Sequence, residues 1–118
     1  MKRKLTSLDI SEANFIFAHV MLELNKNEKF NNLVVTQRNK LIDEICLEVI
    51  DKANKDEDDK EILKSEILAY KIPGTEKKKH PLEIVNLEKP GNFNEIMRRK
   101  YENIIRETVK KRIKKLVV

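Results

Sequence analysis

The chain has 118 residues, of which 40% are hydrophobic and 38% charged, with a formal net charge of +5. That length suits one domain, 1–118, with a single core that needs neither disulfides nor metal, and the clustered, periodic apolar residues exclude a disordered chain. The lone cysteine, Cys46, closes no intramolecular disulfide, and no run approaches the roughly eighteen apolar residues of a membrane span, so the expectation is a soluble, cytoplasmic protein.

Only two glycines and three prolines punctuate the sequence, and its apolar residues recur at spacings of three and four, so it reads as mostly helix. The first organised segment is "DISEANFIFAHVMLELNKN". Asp9 followed by Glu12 has the spacing of a capping box, which predicts a helix from there to the Asn-rich stretch at Asn25 to Asn27. At 100° per residue Ile10, Ala13, Ile16, Phe17, Val20, Met21 and Leu24 share one face. Phe15, Ala18 and Leu22 form a second apolar strip nearly opposite, leaving Glu12, His19 and Glu23 as the polar stripe. A helix so apolar has to be covered on two sides, and the expectation is a homodimer closed through Phe15, Ala18 and Leu22.

The next stretch, "FNNLVVTQRNKLIDEICLEVIDKANK", predicts a short strand at Leu33 to Val35 and a second helix from an N-cap at Thr36 to about Asn54. Its apolar face carries Ile42, Ile45, Cys46, Val49 and Ala53. Cys46 on that face, with no histidine nearby in sequence, reads as a packing residue rather than a nucleophile.

After an acidic turn at Asp56 to Asp59, the pattern predicts a short helix over Asp59 to Leu68. Two short strands follow, "AYKI" and "LEIVNL", on either side of the basic loop "PGTEKKKHP". The acidic turn lacks the glycine and the closing glutamate of a calcium-binding loop, so no metal is expected there.

Asn92 and Glu95 repeat the capping-box spacing and open a basic C-terminal helix over 92–118. Phe93, Met97, Tyr101, Ile104, Ile105 and Thr108 form its apolar stripe, and Arg99, Arg106, Lys110 and Lys114 lie on the other side. Beyond Val109, Arg112 and Lys115 interrupt the stripe, so the final turns should have little to pack against. The stretch "MRRKYENIIRETVKKRIKKL" holds nine Lys or Arg and two acids.

Charge is strongly segregated: +3 over 1–42, −6 over the acidic middle 43–66, +2 over 67–91 and +6 over 92–118. The order helix, strand, helix, helix, hairpin, helix resembles, in architecture alone, a winged helix-turn-helix. The expected fold class is therefore mainly α (α+β), four helices with a short β-hairpin. The helix in the recognition position, "DKEILKSE", is preceded by "DEDD" and would be repelled by a major groove, so the wing and the last helix would carry the contacts.

Those features point to a small DNA-binding regulatory or accessory protein. Duplex DNA would be held by Lys77, Lys78 and Lys79 of the wing and by Arg99, Arg106, Lys110, Lys111 and Lys114 of the terminal helix. The alternative is a helical interaction or assembly protein, an adaptor or inhibitor, whose charged patches meet another protein. Enzyme readings fare poorly. His19 and His80 are far apart, and no phosphate-binding glycine loop or nucleophile motif occurs, so neither a cofactor nor catalysis is expected.

Overall fold

The computed structural model describes residues 4–53, 55–70 and 95–116. Among them are five helices: α1 (Ser7–Asn25), α2 (Glu28–Asn31), α3 (Val35–Lys52), α4 (Glu57–Leu68) and α5 (Glu95–Lys114). None of the described residues forms a strand. No helix among them is long and apolar enough to cross a membrane.

Local chemistry sets the helix ends. Thr6, not Asp9, caps α1: its Oγ1 accepts from the Asp9 backbone amide at 3.2 Å, and the Asp9 carboxylate accepts from the Thr6 amide at 2.9 Å. Asp9 is therefore the third residue of a capping box that starts one turn earlier than the Asp9–Glu12 spacing predicts. Asn27 caps the unforeseen short helix α2, whose Phe30 closes one end of the core. In place of the expected strand at Leu33 to Val35, Val34 is a single extended residue and Val35 opens α3, with the Gln37 side chain accepting from the Val34 amide at 3.4 Å. Thr36 thus lies inside a helix rather than capping it. Asp56 caps α4 by accepting from the Asp59 amide at 2.9 Å, so the acidic residues of the predicted turn form the helix's first turn. Negative charge is favourable at that end of the helix dipole.

The winged-helix expectation is corrected by these elements. Ala69, assigned to a strand from sequence, is the C-cap of α4, and the Tyr70 amide bonds back to the Ile67 carbonyl at 2.9 Å. The segment "LEIVNL" and the loop before it lie outside the described residues. What the described residues build is a helical bundle in which α1 and α3 pack on each other and both pack against α4 and α5.

That arrangement explains why α1 is apolar nearly all round. Ala13, Ile16, Phe17, Val20 and Leu24 are buried, and so are Phe15 and Ala18 of the second strip, at 4% and 1% exposure. Covering comes from within the chain: the Arg98 guanidinium of α5 sits 5.3 Å from the Phe15 ring centroid. Of the strip expected to form a dimer seam, Phe15 is thus covered by α5 and Ala18 is buried within the chain, while Leu22 remains 42% exposed. Burial of Phe15 and Ala18 needs no second copy.

Buried Glu12, Asn14 and Glu66 have hydrogen-bond partners inside the bundle. Glu12, 7% exposed, accepts a hydrogen bond from the Tyr101 hydroxyl and pairs with Lys55 at 3.0 Å. Burial, followed by the Glu12 carboxylate, holds the Tyr101 phenol well above its ordinary range. Nearby, the Tyr70 hydroxyl donates to Glu66 at 2.6 Å and accepts from Asn14 at 3.1 Å, and its ring packs edge-on against Phe17. Cys46 is fully buried, and burial, then Asp43, pushes its thiol up, as suits a packing residue.

Candidate nucleic-acid interface

α5 carries the cations singled out from the sequence, and the fold divides them into two groups. In its first half they are engaged by the protein itself. Arg98 lies over Phe15, Arg99 pairs with Glu95 at 3.4 Å, and Lys100 donates to the Ala53 carbonyl at 3.1 Å. The Lys100 contact satisfies an open carbonyl at the C-terminus of α3, where positive charge is also favoured by the dipole.

Further along, Arg112 turns the other way. Its guanidinium pairs with Glu44 and lies 3.5 Å from Glu48, and Lys52 pairs with the same Glu48 at 2.9 Å. The hydrogen bond from Lys52, then the nearby charges of Lys52, Arg112 and Lys111, hold the Glu48 carboxyl below its usual range against the opposing effect of burial. Arg112 thus ties α5 to α3 rather than merely interrupting a stripe. The last turns do pack, with Ile113 buried and Leu116 against the core.

Arg106, Lys110, Lys111, Lys114 and Lys115 differ. All are exposed, and none makes an ion pair among the described residues. Arg106, Lys110 and Lys114 recur every four residues, about 6 Å apart along the axis, and so form one row beside α1. Lys111 is turned towards α3, where it acts on Glu48, and Lys115 follows the end of the helix. Cations in a last helical turn complement the dipole, which accounts for Lys111 and Lys114 in part. Arg106 and Lys110 precede that turn and have no such explanation.

One further cation joins that row beside α1. Lys26, the C-cap of α1, lines with Arg106, Lys110 and Lys114 a cleft of about 340 Å3. Nothing in the sequence pattern pairs Lys26 with α5; only the packing of α1 on α5 brings them together. Lys26 is also held at 2.9 Å by Glu23. One turn back, His19 is half-buried and packs its ring 4.2 Å from that of Phe15 instead of lying on an open polar stripe. Burial lowers its pKa below the ordinary value, with Glu102 and Glu23 opposing and Arg98 and Arg106 reinforcing the shift.

Of the residues predicted to touch DNA, α5 therefore brings Arg106, Lys110, Lys111 and Lys114 to one end, and separates Arg99, which lies two turns away in a local pair. Lys77, Lys78 and Lys79 lie outside the described residues. Among the described residues no group of His, Cys, Asp and Glu side chains is placed to hold a metal ion. No protein-family model, curated protein or solved structure matches the chain.

Proposed function

We propose that this is a small, non-enzymatic protein of the cytoplasm that holds duplex DNA by the C-terminal half of α5. The observation that carries the reading is the set of five exposed cations, Arg106, Lys110, Lys111, Lys114 and Lys115, without ion pairs among the described residues. The neighbouring cations of the same helix are engaged in the fold. Each phosphate neutralised releases condensed counterion, so unpaired cations in a row along an exposed helix are economical for a polyanion and unneeded for packing. Contacts of this type position a protein on DNA and do not read sequence.

Titrating a labelled duplex with the protein at two salt concentrations tests the reading. Affinity should fall steeply with salt, and absence of binding at low salt would overturn the proposal. A second reading, a contact surface for a basic protein, is favoured by one observation: Asp56, Glu57 and Asp58 at the start of α4 are all exposed. Replacing Glu57 and Asp58 by Gln and Asn would impair that function and leave DNA affinity unchanged or slightly raised.

A further inference from the structure

The cleft between the end of α1 and the last turns of α5 is more than a charged surface. Its rim is cationic, from Lys26, Arg106, Lys110 and Lys114, and its wall includes the aliphatic side chains of Val109 and Ile113. No aromatic side chain lines it. Glu23 is the single acid there, and it is already held by Lys26. At about 340 Å3 the cleft falls within the size range of small-molecule sites, which pair an apolar wall with a few placed polar groups.

We propose that this cleft binds a small organic anion with an aliphatic body, a carboxylate or phosphate head on a short saturated chain. Charge complementarity selects the head, because four cations face one carboxylate across the opening. The wall selects the body. Without an aromatic face there is no platform on which a nucleobase stacks, whereas the edges of Val109 and Ile113, core residues 5% and 8% exposed, offer a narrow apolar contact to methylenes. Because Arg106, Lys110 and Lys114 belong to both, the ligand and a phosphate backbone compete for the same cations. Binding of the small anion does not depend on the DNA reading, since it follows from the shape and lining of the cleft alone.

Octanoate, below its micellar concentration, is the probe, in a methyl-resolved NMR titration of the whole protein without DNA. Resonances of Val109 and Ile113 should shift saturably, and octanoate should bind at least about tenfold more tightly than acetate, reflecting partial burial of the chain. Octanol, with the body and no charge, should bind at least about tenfold more weakly than octanoate. Octyl phosphate should bind at the same methyl groups, whereas inorganic phosphate should leave them unmoved. Lys26→Gln with Lys114→Gln, both exposed positions, should weaken octanoate severalfold while the remaining spectrum stays that of the folded protein. The proposal is overturned if acetate binds as well as octanoate, if octanol binds as well, or if shifts fail to saturate. Loss of DNA binding with octanoate binding intact would sink only the DNA reading; the reverse would sink only this one.

Discussion

The two halves of α5 differ both in charge, three cations and two acids over 95–104 against five cations and one acid over 105–114, and in what their cations meet. In the first, Arg98, Arg99 and Lys100 are taken up by an aromatic ring, an acid one turn back and an open helix carbonyl. In the second, Arg112 alone of the cations is bonded to α3, and Arg106, Lys110, Lys111 and Lys114, with Lys115 just past the helix, stand exposed without ion pairs among the described residues. A count of positive charge along a helix says little until the partner of each cation is known.

Breaking the first half should cost most. Tyr101→Phe removes the hydroxyl that donates to buried Glu12 and leaves that carboxylate to Lys55 alone. Denaturant unfolding should show a loss of about 1.5–3 kcal/mol, the worth of a buried hydrogen bond to a charged group. Arg112→Gln is the next test, because it cuts the tie between α5 and the two glutamates of α3. These side chains are partly exposed, so the loss should be about 0.5–1 kcal/mol and should shrink in high salt.

His19 sharpens the comparison through pH. Its folded-state pKa is lowered, chiefly by burial, so the unfolded chain takes up the proton first as pH falls. Stability should be full above about pH 6.5 and decline as pH drops through that value towards the lowered one. Chemical unfolding at a series of pH values should show this decline in the wild type and a flatter profile in His19→Gln. The smallest effect belongs to the second half. Lys110→Gln with Lys114→Gln should change folding stability by less than about 0.5 kcal/mol in the same assay, because exposed side chains without partners contribute little.

Much of this is legible in the sequence, for reasons that differ by residue. The end of α1 near Asn25 and the core face of α3 follow from periodicity and the loss of apolar spacing. So does the row Arg106, Lys110 and Lys114, since it depends only on helix geometry. Phe15 misleads because an apolar strip shows that something covers it, not what; Arg98 of α5 supplies its cover from far along the chain. The strand expected at Leu33 to Val35 does not form because three apolar residues in a row fit a helix start as well as a strand, and Gln37 decides the matter by closing on Val34. Short α2 leaves a faint signal in Asn27 as a cap ahead of Phe30. Lys26, Lys55 and the partners of Arg112 leave none, because they are chosen by tertiary packing.

The division of α5 is tested most directly by the salt dependence of duplex DNA binding in two paired variants. Each phosphate that a variant no longer neutralises should reduce the log–log slope by about 0.9. Lys110→Gln with Lys114→Gln should lower the slope by roughly two units and weaken binding alike on unrelated sequences, whereas Arg99→Gln with Lys100→Gln should leave the slope essentially unchanged. Equal reductions from both pairs, or none from the first, would contradict this division of the helix.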